Sequence, residues 1–165
     1  MNNTKIIIVN ENDEIIGYKE RGTLNHGDIY RVSALWIQNS KGDVLLSKRA
    51  LTKKHDPGKW GPAVAGTNDE GETYESNIMR EAEEEVGLKN HHFQKSQKVR
   101  RRGEYNYFCQ WYLTIVDKEL NDFTMQEEEV KEIRWFTRKE LLSRLEKNPD
   151  RFLKSVKYGI NFFNK

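Results

Sequence analysis

The stretch GTNDEGETYESNIMREAEEEVGL, residues 66–88, decides how this chain is interpreted. It holds eight carboxylates and a single base, Arg80, and so carries a formal charge of −7. The whole chain has 28 bases and 26 acids, so the remainder has 27 and 18 and carries +9. Like charges one turn apart on a helix repel each other. Either this segment is a solvated acidic surface, or a cation belongs there.

Residues 73–87 have the pattern of an amphipathic helix. Thr73 is a suitable N-cap, and Gly87 is suited to end the helix. Apolar residues recur at every fourth position from Ile78 to Val86 and form one narrow stripe. We therefore expect a helix that packs on the core by one face.

Three acids of this helix fall on one face. Glu81, Glu84 and Glu85 lie within about 100° of one another, because each residue turns the helix by about 100°. Hard divalent cations such as Mg²⁺ and Mn²⁺ take carboxylate oxygens and share them with waters and substrate phosphates. Arg80 stands beside the cluster and can fix a carboxylate by two hydrogen bonds. A solvated acidic face, which is common in charge-rich proteins, is the alternative.

Length and composition fit one domain over residues 1–165. Hydrophobic residues make up 36% of the chain, and its four Trp, seven Tyr and seven Phe argue against disorder. No segment approaches the ~20 apolar residues of a membrane span, and the first residues lack a signal-peptide pattern. The lone Cys109 excludes an internal disulfide, so a cytoplasmic protein is expected. The basic remainder could bind nucleic acid, but the acidic stretch would repel a phosphate backbone, so a small-molecule polyphosphate partner is preferred.

Outside the acidic stretch, short strands dominate the pattern. They are predicted at 5–9, 14–21, 31–39, 44–50, 63–65, 93–102, 105–117 and 129–136. Residues 51–62 are expected to form a loop, because they include two prolines and two glycines.

Two further helices are predicted near the C-terminus. The first would begin with a capping box at Thr137 and end before Pro149. Its apolar face would carry Leu141, Leu142 and Leu145. The second would cover residues 150–163. The chain is therefore expected to be an α/β (α+β) domain, a mixed sheet with helices packed on it.

The spacing within residues 66–88 is more specific than the charge. From Gly66 to Leu88 the sequence follows G-x5-E-x7-R-E-A-x-E-E-x-G-L. This pattern resembles the signature of the Nudix hydrolases at every position, with Ala82 where a larger aliphatic residue is usual. The resemblance implies a Nudix-type α/β/α sandwich with a mixed central sheet. It also implies hydrolysis of the diphosphate bond in a nucleoside diphosphate linked to another group, or in a related organic diphosphate, with Mg²⁺ or Mn²⁺ as cofactor.

The same resemblance implies roles for individual residues. The metal ligands would be Glu81, Glu84 and Glu85, one of which would also orient or deprotonate the attacking water. Arg80 would hold the cluster in place, and Glu72 would tether the loop. A carbonyl at Ala65 or Gly66 would add an oxygen ligand. The run of glutamates at 127–129 offers other candidates for the base.

A narrower resemblance covers most of the chain. Residues 9–22 and 41–60 are similar to the Nudix branch that includes type I isopentenyl diphosphate isomerase. That enzyme places a catalytic cysteine and a metal-binding histidine before the signature, where this chain has Ala65 and Thr67. Its later metal-binding glutamates fall near residues 105–107, which are Tyr, Asn and Tyr here. Hydrolysis on an isomerase-like scaffold is therefore expected, with isomerisation, or a non-catalytic nucleic-acid or interaction module, as the alternatives.

Other candidates concern substrate and partners. The predicted substrate-binding residues are Lys48, Arg49 and Trp60, because cations clamp phosphates and an indole either stacks on a base or anchors packing. Residues 53–55 and Arg100–Arg102 are interpreted as surface charge, and His26 as an exposed loop residue. The aromatic segment 105–112 and the last helix are surfaces that a homodimer would use.

Overall fold

The computed structural model describes residues 3–163, which form a mixed sheet with helices on both faces. The strands are β1 (Lys5–Val9), β2 (Ile15–Glu20), β3 (Ile29–Gln38), β4 (Val44–Arg49), β5 (Trp60–Pro62), β6 (Val64–Thr67), β7 (Gln94–Arg101), β8 (Tyr107–Ile115) and β9 (Val130–Phe136). The helices are α1 (Tyr74–Val86), α2 (Arg138–Lys147) and α3 (Lys154–Phe163), and short 3-10 helices cover Leu120–Asp122 and Pro149–Arg151.

β3 is the central strand. One of its edges pairs in parallel with β8 from Tyr30 to Gln38. The other edge pairs in antiparallel fashion with β1, β6 and β4 in turn. β4 shares only two residue pairs with β3 and then continues between β5 and β9. The sheet therefore divides where β3 and β4 part.

Alternate side chains of β3 belong to two cores, because successive residues of a strand point to opposite faces. Leu35 and Ile37 pack in the core that contains the apolar stripe of α1. Ala34 and Trp36 pack in the core that contains residues of α2 and α3. Burying a Leu or Ile side chain stabilises a fold by about 1.5–3 kcal/mol, so the alternation fixes the register of the strand. The predicted α/β/α sandwich with a mixed central sheet is confirmed.

The loop predicted over residues 51–62 was partly wrong. Trp60–Pro62 forms β5, which pairs with β4. Three residues that include Gly and Pro carry no alternating pattern, so pairing with β4, and not local preference, makes this strand.

The C-terminal helices also differ in detail from the prediction. The last helix starts at Lys154, because Pro149–Arg151 forms a 3-10 helix and Phe152 makes an isolated bridge to Trp60. Leu142 was wrongly assigned to the buried face of α2, since it is 40% exposed while Leu141 is fully buried.

The predicted capping box of α2 is only half formed. The Thr137 hydroxyl accepts the Glu140 N–H at 3.1 Å. The Glu140 carboxylate instead accepts hydrogen bonds from Arg134 and Arg144.

The surfaces considered for a homodimer pack on each other within the chain. Trp111 of β8 lies 5.9 Å and 6.2 Å from Phe162 and Phe163 of α3, measured between ring centroids. A homodimer stays a prediction, and so does the single domain over residues 1–165, whose first two and last two residues lie outside the described part. None of the helices between residues 3 and 163 combines the length and apolar composition needed to cross a bilayer.

Candidate active site

Hydrogen bonds at both ends of α1, the helix that carries the predicted metal ligands, define where it begins and ends. The Thr73 hydroxyl accepts the Ser76 N–H at 3.1 Å, and the Ser76 hydroxyl accepts the Thr73 N–H at 2.9 Å. At the other end Gly87 adopts a left-handed conformation, φ 71°, and donates its N–H to the Glu83 carbonyl. The apolar stripe that fixes the helix on the sheet is fully buried and consists of Ile78, Ala82 and Val86.

Glu72 ties the preceding loop to α1. Its carboxylate accepts hydrogen bonds from the Asp69 N–H at 2.8 Å, the Asn77 side-chain amide at 2.8 Å and Arg80 Nε at 2.6 Å. Burial acts to raise the pKa of Glu72, but these hydrogen bonds outweigh it and hold the pKa below its usual value. Glu72 is therefore ionised at neutral pH and holds the loop against the helix.

Arg80 donates hydrogen bonds to three carboxylates and forms an ion pair with a fourth, Asp69, at 3.6 Å. Besides Glu72, its Nη1 donates to Glu84 at 2.9 Å and its Nη2 to Glu81 at 3.0 Å. The hydrogen bond to Glu72, together with the nearby charges of Glu81 and Glu84, raises the pKa of the guanidinium. The orientations of two predicted metal ligands therefore depend on one planar group.

Glu85 is the acid of this site whose charge is least compensated. It is 9% exposed, and burial followed by the charges of Glu81 and Glu129 raises its pKa well above the usual value. A hydrogen bond from the Ala65 backbone opposes the shift but does not reverse it. Burial also raises the pKa of Glu81, despite the neighbouring Arg80. Carboxylates held together against their mutual repulsion favour a bound cation.

Gly66 leaves the space that Glu81 occupies. A Cβ placed on Gly66 would lie 2.5 Å from the Cγ, Cδ and Oε1 atoms of Glu81. The φ of Gly66 is outside the left-handed region, so backbone conformation does not demand glycine here. The requirement for glycine comes from the close approach of the carboxylate.

The donor set fits a hard divalent cation in its chemistry, since it combines carboxylates with backbone carbonyls. Among residues 3–163, however, no three His, Cys, Asp or Glu side chains form a ready metal-binding group. Arg80 donates to one oxygen each of Glu81 and Glu84, which leaves the second oxygen of each carboxylate available for coordination.

The carboxylates line a cleft of about 880 Å³. Its other walls include residues of β3 and β4, on either side of the gap where these two strands separate. Its acidic lining residues are Glu81, Glu84, Glu85 and Glu129. Its basic and imidazole lining residues are Arg21, Arg49, Lys53, Lys54, His55 and Arg101. The volume is within the range of about 300–1,000 Å³ of small-molecule sites. Acids and bases facing one cleft suit an anionic substrate that a cation bridges to the acids.

Of the three predicted substrate-binding residues, only Arg49 lines the cleft. Its Nε donates to the His55 carbonyl at 3.0 Å. Lys48 lies outside the cleft lining, with its ammonium 5.8 Å from the centre of the Trp60 ring. Trp60 is buried, and its ring packs edge-on against Phe136 at 5.1 Å. Trp60 is therefore a packing residue, and Lys48 covers its ring.

The cleft also contains residues that were only minor candidates in the sequence. Within the run 127–129, Glu129 lines the cleft and accepts a hydrogen bond from Lys53 Nζ at 2.6 Å, whereas Glu127 and Glu128 are exposed. Arg101 also lines the cleft, although it was interpreted as surface charge. Their approach to α1 depends on strand pairing over long sequence distances, which no local pattern signals. His26 is exposed, as predicted.

The NUDIX domain family model matches residues 29–156, which is most of the chain. The chain belongs to the Nudix hydrolase family. This Nudix chain is 34% identical over 136 residues to an uncharacterized Nudix hydrolase of Listeria monocytogenes, covering 81% of this chain and 80% of that protein. It is also 34% identical over 85 residues to an isopentenyl-diphosphate Delta-isomerase of an Enterobacter strain. That second match covers 50% of this chain and 46% of the isomerase, so the isomerase-like similarity is real but partial.

Solved structures show the same fold at low identity. A Deinococcus radiodurans protein superposes with a TM-score of 0.84 at 22% identity, over 96% of this chain and 99% of that one. A C. elegans Ap4A hydrolase superposes with a TM-score of 0.60 at 16% identity, over 82% of this chain and 95% of that one. At these identities the likeness supports the Nudix fold alone.

Proposed function

We propose that this Nudix hydrolase cleaves the diphosphate bond of a nucleoside diphosphate linked to another group, or of a related organic diphosphate, using Mg²⁺ or Mn²⁺. One observation carries the proposal. Glu81 and Glu85, both with raised pKa, lie in a cleft that also presents Arg49, Lys53 and Lys54. A diphosphate and a divalent cation together satisfy both sets of charges.

The proposed cation site is built from oxygens of α1 and the preceding strand. Its ligands would be Glu81, Glu84 and Glu85, with a carbonyl at Ala65 or Gly66 as a further donor. When bound, the cation neutralises the diphosphate and makes a water more acidic. Arg80 and Glu72 position the ligands through their mutual hydrogen bond.

The remaining steps fall to other residues of the cleft. Arg49 and Lys54 would contact phosphate oxygens. Glu129, held by Lys53, is the proposed acceptor of a proton from the attacking water. The water oxygen bonds to one phosphorus, the bond from that phosphorus to the bridging oxygen breaks, and two phosphorylated products leave.

Isomerisation is not supported by the site. Ala65 and Thr67, which line the cleft, stand where the isomerase resemblance requires a thiol and an imidazole. Cys109 also lines the cleft, but β3 separates it from Thr67, because Val32 pairs with both residues. Burial raises the pKa of the Cys109 thiol to about 12. At neutral pH the thiol is therefore protonated and is a poor nucleophile. A protected, single cysteine agrees with the proposed cytoplasmic location.

The test is release of phosphate or nucleotide from a panel of diphosphates. The panel contains nucleoside triphosphates, nucleotide sugars, dinucleoside polyphosphates and isoprenoid diphosphates, each assayed with Mg²⁺, with Mn²⁺ and with a chelator. We expect metal-dependent release from at least one compound, and a loss of about 100-fold or more in Glu85→Gln. Glu83→Gln is the matched control, because Glu83 is an exposed acid of α1 that pairs with Lys89. No release from any compound, or equal losses in both variants, would refute the proposal.

A further inference from the structure

Three consecutive arginines at the end of β7 have different surroundings. Arg100 and Arg102 each form an ion pair with Glu11 at 3.0 Å. No carboxylate within residues 3–163 forms an ion pair with Arg101, and Arg101 is the member of the three that lines the cleft. A cation without an acidic partner, facing a binding cleft, is available to a ligand.

Arg101 rests on an aromatic ring. Its guanidinium carbon lies 3.5 Å from the centre of the Tyr158 ring, and Tyr158 of α3 lines the same cleft. At this distance the guanidinium covers the ring face. Guanidinium planes and aromatic rings are the surfaces on which nucleobases stack. Tyr158 therefore supports Arg101 from below, and the pair forms a platform.

The wall around this platform is aromatic, unlike the acidic wall at α1. It includes Tyr107 and Trp111. The indole Nε1 of Trp111 is buried and has no hydrogen-bond partner among the residues that the structure describes. A buried donor without a partner costs free energy.

We propose that Arg101 and Tyr158 form a stacking subsite for a planar heteroaromatic group of the substrate, a nucleobase, and thereby select nucleoside diphosphates over isoprenoid diphosphates. The inference rests on the proposed function, because it concerns the non-reacting part of the same substrate. An isoprenoid chain in this place would remove Arg101 from water without offering it a hydrogen-bond acceptor or a stacking partner. A nucleobase offers both.

Nucleoside 5′-monophosphates are suitable probes, because they carry the base and no diphosphate bond. Their dissociation constants for the full chain are measured by calorimetry, with and without Mg²⁺, beside ribose 5-phosphate and isopentenyl phosphate. We expect at least one nucleotide to bind between about 5-fold and 100-fold more tightly than ribose 5-phosphate. This is the gain in affinity that stacking of one base gives in proteins that bind single-stranded nucleic acid. Arg101→Lys should remove this preference, because lysine keeps the charge over the Tyr158 ring but lacks the planar stacking surface. Arg102→Ala, which removes an arginine paired with Glu11, should leave it unchanged.

Each of the following results would overturn the subsite. They are equal binding of ribose 5-phosphate and every nucleotide, retention of the preference in Arg101→Lys, and tighter binding of isopentenyl phosphate than of any nucleotide. If Arg101→Ala weakens ribose 5-phosphate as much as the nucleotide, Arg101 binds phosphate and the stacking role is wrong. The outcome is independent of hydrolysis, so an inactive chain with a base preference would refute the proposed function and keep the subsite.

Discussion

Replacing Gly66 by alanine should disable the site with little damage to the fold. The new Cβ would lie 2.5 Å from three atoms of Glu81, whereas carbon atoms in contact are about 3.5 Å apart. Glu81 would therefore move by roughly 1 Å, and its 3.0 Å hydrogen bond to Arg80 would be strained or lost. A displacement of about 1 Å at a reacting centre lowers rates by about 100-fold, while the overpacking itself costs about 1–3 kcal/mol.

The assay is kcat/KM with the best diphosphate of the panel, combined with a thermal melt and a titration of free Mn²⁺ followed by electron paramagnetic resonance. We expect weaker Mn²⁺ binding and about 100-fold lower kcat/KM, with a loss of only several degrees in Tm. Gly17→Ala is the matched control, because nothing lies within 4 Å of a Cβ at Gly17 and its φ is also outside the left-handed region. Unchanged Mn²⁺ affinity and activity in Gly66→Ala, or an equal loss in Gly17→Ala, would refute this reasoning.

Three further predictions address other contacts. Glu85→Gln should raise the Tm of the metal-free protein at pH 8 but not near pH 4. Because the pKa of Glu85 is raised in the folded state, its ionisation makes the protein less stable as the pH rises from about 4.5 through that pKa. A series of thermal melts across pH checks this, and an equal effect at both pH values would contradict it. Arg80→Lys should lower kcat/KM by about 10–100-fold, because a compact ammonium cannot reproduce the three hydrogen bonds that the guanidinium donates in different directions. Steady-state kinetics at saturating Mg²⁺ test this, and wild-type kinetics would argue against a positioning role. Trp60→Phe should lower the free energy of unfolding by about 1–3 kcal/mol and leave KM unchanged, because the ring packs on Phe136 outside the cleft; a raised KM with normal stability would restore Trp60 as a substrate residue.

Features set by local sequence were predicted well. The limits of α1 follow from Thr73 and Gly87, whose capping roles depend only on residues within one or two turns. The alternation in residues 31–39 predicted a strand, and the Nudix resemblance implied the sandwich; the structure places alternate side chains of β3 in the two cores. The acidic face of α1 could likewise be inferred from the helical repeat alone.

Features that depend on distant pairing could not be predicted. β5 exists because Trp60–Pro62 pairs with β4, and its own sequence favours a loop. Arg101 and its two neighbours look alike in sequence, but the fold places Glu11 beside Arg100 and Arg102 and the Tyr158 ring beside Arg101. In sequence Glu129 is one of three consecutive glutamates. It lies beside Lys53 because β9, which begins at the next residue, pairs with β4.

The proposed activity depends on the binding of a divalent metal ion by the carboxylates of α1 in the cleft. Its most direct test is a crystal soaked in Mn²⁺, with diffraction data collected on both sides of the manganese absorption edge. We predict an anomalous peak in contact with the carboxylate oxygens of Glu85 and of at least one of Glu81 and Glu84. A crystal at saturating Mn²⁺ with no anomalous peak at these oxygens would show that α1 does not bind the metal ion.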